Sequence, residues 1–246
     1  MAGGGLSTSK WGVYGIEDLG GGNQIHFNLE QGFQTQSGAL AVTGADFQQS
    51  WVALHSPRYG RITLGRNYHA LFELYAITFA AYPYLPLYFD AYKPEVGMAA
   101  GGRSNELLKY SHTLGNFRVH LETTLRGEQH VAVPGLPGSY SVGGKARAGF
   151  VRWGEGGLAL GAGYLQRSFG TPGKHLRAAV LGGSYRTGPW YFTSHYGVNR
   201  HNLTPQSACG EAVQCWVDDA VLGAFWGDHN SGGFRGPAFT AANQRR

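Results

Sequence analysis

Residues Gln24–Phe33, QIHFNLEQGF, alternate polar and apolar with hardly a slip, and that alternation decides the fold. Ile25, Phe27, Leu29 and Gln31 fall on one face; Gln24, His26, Asn28, Glu30 and Gly32 fall on the other. Side chains of a strand alternate with period two, so this segment has one mainly apolar and one polar face. The pattern returns where Ile62 and Leu64 alternate with Arg61, Thr63 and Gly65, and where Phe117, Val119 and Leu121 alternate with Arg118, His120 and Glu122. In a soluble sandwich the polar face looks out to water. In an outer-membrane barrel the apolar face meets lipid and the polar face lines a wet lumen. Alternation leaves both open; connection lengths and composition choose between them.

The chain has 246 residues, 40 of them Gly, with 13% aromatic and only 14% charged residues. Average soluble domains carry roughly 25% charged residues and about 7% Gly. Lipid-facing strands joined by tight turns require this shift. The mean hydropathy of -0.25 agrees, because half of each such strand is polar. No run is apolar enough for a spanning helix: the closest, Ala76–Tyr92, contains Pro83, Pro86 and Asp90. The net charge of +5 is spread without a basic run, which argues against nucleic acid as a partner and for a lumen attracting anions.

Eleven strands are expected, over about residues 10–16, 24–33, 47–55, 60–67, 104–112, 116–125, 143–153, 157–167, 175–186, 189–198 and 215–226. Short turns such as Ser56–Tyr59 and Thr187–Gly188 alternate with long connections such as Tyr68–Arg103 and Arg126–Val142. Short turns on one side and long loops on the other mark outer-membrane barrels, and a sandwich has no reason for it. After Trp226 the alternation stops, so 227–246 is expected to be a divergent or disordered tail.

Four blocks carry a family likeness: SKWGVYGIEDLGGG (Ser9–Gly22), FNLEQGF (Phe27–Phe33), WVALHSPRYGRITLGRNY (Trp51–Tyr68) and GRSNELLKY (Gly102–Tyr110). In order and spacing they resemble Gram-negative general-diffusion porins of the Neisseria, Bordetella and Burkholderia type, with weaker likeness to about Trp226. The resemblance implies an all-β, antiparallel transmembrane barrel of sixteen strands, usually trimeric, with a water-filled channel. Its third outer loop, here 68–103, would fold inward and narrow the channel. It also implies missing ends. Met1–Lys10 has no basic start or apolar core of a signal peptide, and the chain closes on Gln244-Arg245-Arg246 rather than an aromatic residue. On the family pattern one strand is missing in front and four behind, so 1–226 is expected to be a partial, incomplete barrel.

Such a channel makes no bonds; it works by a transverse field and a steric gate. By the resemblance, Lys10 and Arg103 occupy basic wall positions, while Gln48 and Gln49 stand where many members have Arg. Alternation independently aims Arg61, Lys109 and Arg118 into the lumen, with Lys145 and Arg147 on a later strand. The inward loop supplies the acids Glu73, Asp90 and Glu95 and many aromatic rings, which would make a narrow eyelet. Trp11, Tyr14, Trp51, Trp153, Tyr164, Trp190 and Tyr196 lie near strand ends, as interfacial girdles do. Cys209 and Cys215, six apart, would close a loop disulfide in the oxidising periplasm; two free thiols are the alternative.

Enzymatic readings find no support. No HExxH pair or metal-ligand cluster occurs among the ten histidines, no cofactor motif is present, and Ser194 and His195 point to opposite faces of one strand. The expected function is a passive, anion-preferring outer-membrane channel for ions and small hydrophilic solutes, in contact with lipid and trimeric at full length. A non-conducting structural or adhesive barrel and a nonfunctional truncated porin are the alternatives.

Overall fold

The computed structural model describes residues 9–40, 47–79, 103–125, 128–132, 139–143, 145–168, 175–201 and 219–228. Strand formers and turn glycines divide the chain into β1 (Ser9–Gly20), β2 (Asn23–Phe33), β3 (Gln49–Ser56), β4 (Gly60–Tyr68), β5 (Arg103–Leu114) and β6 (Phe117–Thr124). A short hairpin follows, β7 (Glu128–Ala132) with β8 (Ser139–Gly143). Then come β9 (Ala146–Glu155), β10 (Leu158–Ser168), β11 (His175–Thr187), β12 (Trp190–His201) and β13 (Asp219–Asp228). Gly20, Gly21 and Gly22 all have positive φ in the β1–β2 turn, a backbone region that glycine enters without steric cost.

Apart from the hairpin, the strands form one antiparallel sheet in the order β1-β2-β3-β4-β5-β6-β9-β10-β11-β12-β13. Each of the eleven expected strands has a counterpart in it. The expectation of a sixteen-stranded transmembrane barrel is nevertheless corrected. Within the described residues β1 pairs only with β2 and β13 only with β12, so the sheet is open with two free edges. A barrel needs its first and last strands to exchange backbone hydrogen bonds. Alternation within single strands carries no information about that pairing.

Burial separates the two faces. Val52, Leu54, Ile62, Leu64, Leu121, Val151, Leu160 and Leu181 are exposed on the outer face, while Ala53, Thr63, Lys109, His120 and Phe150 are buried on the inner one. A row of exposed aliphatics along successive strands suits contact with lipid. Of the expected girdle, Trp11, Trp153, Tyr164, Trp190 and Tyr196 alternate onto the outer face. Tyr14 and Trp51 turn inward: the Tyr14 hydroxyl is 2.9 Å from His26 Nδ1, and the Arg61 guanidinium covers the Trp51 ring at 4.7 Å.

One irregularity directs the chain across the inner face. Between Gly65 and Asn67 the β4–β5 register shifts, with Gly65 at φ 125° and Glu106 at φ 50°. Such a bulge bends the strand and re-aims the chain beyond it. Only glycine fits at 65, where a Cβ would lie 2.2 Å from the Ser50 carbonyl oxygen. The chain then forms helix α1 (Ala70–Leu74) and a π-helical turn, Tyr75–Phe79. His69 caps α1, its side chain accepting from the Phe72 N–H. Leu71, Leu74, Tyr75 and Phe79 are fully buried against Phe150, Leu165, Leu176 and Val180 of β9, β10 and β11. Gly161 and Gly163 make the seat: a Cβ there would come within 2.7 and 2.6 Å of Leu74 and Leu71. Tyr191 of β12 donates its hydroxyl to the Thr78 carbonyl at 3.1 Å, and His195 meets Tyr75 edge-on and stacks on Phe79.

Candidate functional site

The inner face carries three groups of charge. The first lies on the long-connection side. Glu30 on β2 is 3.1 Å from Lys10 Nζ and 3.7 Å from an Arg103 Nη, and accepts from the Gln49 amide at 3.2 Å. Arg103 also donates to the Tyr68 hydroxyl at 2.6 Å and to Gln48 at 3.3 Å, and it covers the Tyr68 ring. Tyr68 in turn stacks flat on Phe72, 4.3 Å between centroids. Both expected wall cations at this level are therefore engaged by Glu30. The Gln48 and Gln49 amides that replace arginine join the same network. Arg66, on the bulge, donates to the Phe47 carbonyl and to Asn105.

The second group tethers the inward segment. Lys109 Nζ donates to Glu73 Oε1 at 2.6 Å and to the Tyr68 carbonyl at 2.7 Å. His120 Nδ1 lies 2.9 Å from the other Glu73 oxygen, and its Nε2 lies 3.0 Å from Glu122. The Lys109 side chain is only 4% exposed and that of Glu73 23%. Burial works against the Glu73 carboxylate, but Lys109 and then His120 outweigh it and hold its pKa down at about 2. Glu73 is thus a tether rather than a free charge in open space. Asp90, Glu95, Cys209, Cys215 and 229–246 lie outside the described residues; Gly227 and Asp228, expected in the tail, end β13.

The neighbouring cap, His69, is fully buried, and burial holds its pKa down at about 4 against an ordinary 6.5. Acid is therefore expected to undock α1 in two overlapping windows. The undocked His69 takes up a proton first, so docking loses stability as pH falls from 6.5 to about 4. The Glu73 contribution is complete above 4.5 and is lost as pH falls through about 2. Amide exchange of residues 70–79 between pH 7 and pH 3 measures this. Constant protection over that range would contradict it.

The third group lies on the short-turn side. Arg61 and Arg118 share the inner face with Arg152 and Arg186, two residues not expected there from the sequence. Arg118 and Arg152 stand directly opposite each other on β6 and β9. Arg152 lies back along its strand over Gly154, where a Cβ would meet its Nη1 at 2.9 Å. None of these four forms a salt bridge among the described residues. Lys145 and Arg147 belong elsewhere. Ala146, Ala148 and Phe150 take the inner face of β9, which puts Lys145 and Arg147 on the outer face with Val151, both exposed. A signal was present: Trp153, as an outer aromatic, has the same parity as Lys145 and Arg147 and the opposite parity to Arg152.

An antiparallel sheet with aliphatic residues outside, charge inside and a helical connection laid over the inner face is the build of a β-strand protein of the outer membrane. A model of the Gram-negative porin family matches residues 1–231; the chain belongs to this family and to the cell outer membrane, and it is not an enzyme. It is 42% identical over 68 residues to an outer membrane porin protein of Bordetella pertussis. That match takes in 27% of this chain and spans only 18% of the relative's length. Among solved structures, a Salmonella typhi OmpF in complex with daunomycin shares the fold, with a TM-score of 0.62 at 14% identity over 88% of this chain and 66% of that one. A porin refined at 1.8 Å resolution gives a TM-score of 0.53 at 16% identity over 89% and 70%.

Proposed function

We propose that this chain forms wall and constriction of a passive outer-membrane channel for ions and small hydrophilic solutes, with a preference for anions. One observation carries the reading: of the described acids on the inner face Glu30, Glu73 and Glu122 are paired and Asp18 alone stands free of a salt bridge at the β1–β2 turn, whereas four cations, Arg61, Arg118, Arg152 and Arg186, face inward without a described salt bridge. Fixed unpaired cations on a wet wall raise the local anion concentration and hinder cations. Lys10, Arg103 and Lys109 act differently, holding the wall network and the inward segment. The local identity to the Bordetella porin supports a channel of that subtype, and assembly into a homotrimer is part of the same reading.

Planar-bilayer reversal potentials test it. Changing Arg61, Arg118 and Arg152 to Gln is expected to lower chloride-over-potassium selectivity severalfold with channels still forming. An unchanged reversal potential would remove these residues from the conduction path. The rival, a barrel that does not conduct, draws on the close packing of α1 and the π-helical turn over β9–β12; absence of any single-channel step from assembled protein would favour it.

A further inference from the structure

We propose that Arg61, His55, Trp51 and Tyr14 form a subsite on the inner wall for solutes that join a carboxylate to a planar aromatic ring. It deepens the channel reading given above, on which it rests for its wet wall, by naming a class of solute. Register brings the four residues together. Tyr14 of β1, Asn28 of β2 and Trp51 of β3 pair in one line across the inner face. The Tyr14 and Trp51 rings meet edge to face, 6.4 Å between centroids. His55 and Arg61 stand opposite each other on β3 and β4, two inner positions nearer the short turns. Ala53 and Thr63 lie between these two levels, and both are buried. Over these small side chains the Arg61 guanidinium reaches back to cover the Trp51 ring at 4.7 Å.

The rings are fixed, while the cation's hydrogen-bonding rim is unused. Trp51 Nε1 donates to Gln49 at 3.2 Å. His26 Nε2 donates to Gln24 Oε1 at 3.0 Å, which leaves its Nδ1 to accept from the Tyr14 hydroxyl. Arg61 forms no hydrogen bond or salt bridge among the described residues, and its Nε is buried without a partner. Glu73, an acid close enough to interact with Arg61, is already held by Lys109 and His120. The His55 ring, 5.8 Å from that of His26 between centroids, makes no hydrogen bond among the described residues either. A guanidinium packed on a ring keeps its N–H groups around its rim, where two parallel bonds match a carboxylate. His55 beside it adds a ring N–H. A carboxylate held there lays its own ring along Tyr14 and Trp51, where edge-to-face or offset contacts are favourable. An aliphatic acid would use the cation and leave the rings idle; a neutral aromatic would do the reverse. Because the rings are already fixed, little ordering is lost on binding.

The test is fluorine NMR titration of the full chain folded in detergent micelles, with empty micelles as the blank. The probes are para-fluorobenzoate, trifluoroacetate and para-fluorobenzamide. Para-fluorobenzoate is expected to bind saturably, about tenfold tighter than either of the others. Arg61→Gln should weaken it by about tenfold or more, and Trp51→Leu by about threefold to tenfold. Trp51→Phe keeps a ring beneath Arg61 and should hold most of the affinity, so the test stays decisive if Trp51→Leu does not fold. Equal binding of the three probes, or wild-type affinity in both Arg61→Gln and Trp51→Leu, would overturn the proposal. Bilayer reversal potentials tell its failure from that of the channel reading. Chloride preference with para-fluorobenzoate no tighter than trifluoroacetate would overturn the aromatic class alone. Tight para-fluorobenzoate binding without chloride preference would overturn the anion-preferring channel and leave the subsite standing.

Discussion

Replacing Lys109 with Met is expected to release α1 from the wall at a cost of about 3–5 kcal/mol. Methionine keeps the length and apolar stem of the side chain but donates nothing. The Glu73 oxygen and the Tyr68 carbonyl each lose a short bond, and the carboxylate keeps only His120 nearby. Were this an exposed pair, the loss would be below about 1 kcal/mol. Lys109 is almost fully buried, so the larger figure for breaking a buried pair applies. Glu73 is 23% exposed, but it becomes fully hydrated only if α1 lifts away. Amide exchange of Leu71–Thr78 should accelerate by about a hundredfold or more while the sheet keeps its protection. Adding Glu73→Gln removes the orphaned charge and should recover much of the loss, which a double-mutant cycle reads as coupling. Unchanged exchange in the single variant would show that apolar packing alone holds the segment.

That packing has its own expected signature. Leu74→Ala should cost about 2–5 kcal/mol of docking, toward the upper end. The reason is the wall beneath. Leu74 sits over Gly161 and Gly163, which have no side chains to swing into the space its methyl groups leave. A cavity that cannot collapse costs the most. Ile77, on the exposed side of the π-helical turn, is the control: Ile77→Ala should change docking by roughly half a kcal/mol or less. Thermal protection of the segment against proteolysis separates the two. Similar losses for Leu74 and Ile77 would mean that the buried contacts do not hold the segment in solution.

The strands of this protein are legible because their period is local. Residues 24–33 declare two faces without reference to any other part of the chain. Which strand closes on which is a property of distant pairs, and there the expectation of a sixteen-stranded transmembrane barrel, incomplete in this chain, gives way to an open sheet. The error over Lys145 and Arg147 is of another kind. In the first half of β9 the inner positions are Ala146, Ala148 and Phe150, and α1 packs over the last two, so the usual rule of polar inside reverses for that stretch. Hydrophobicity misleads wherever a lumen is filled by its own loop. Trp153 and the alternate glycines of β10 were the usable signals, since glycine within a strand often marks a close approach. Glu30 was placed on the polar face, but its role as partner of Lys10 and Arg103 depends on three strands meeting, which no single segment shows.

The inward segment leaves the sheet after β4 yet rests on strands completed far later; the hydroxyl that anchors Thr78 belongs to a residue 113 positions on. Contacts of such sequence separation come late, because the long intervening loop must close before they reward it. The place that α1 fills exists only once β9, β10 and β11 have paired, so a chain with β1–β6 alone in place has nowhere to dock it. Without the segment, Phe150, Leu165, Leu176 and Val180 would stand bare on the inner face. The cover those distant strands need is supplied by the protein itself.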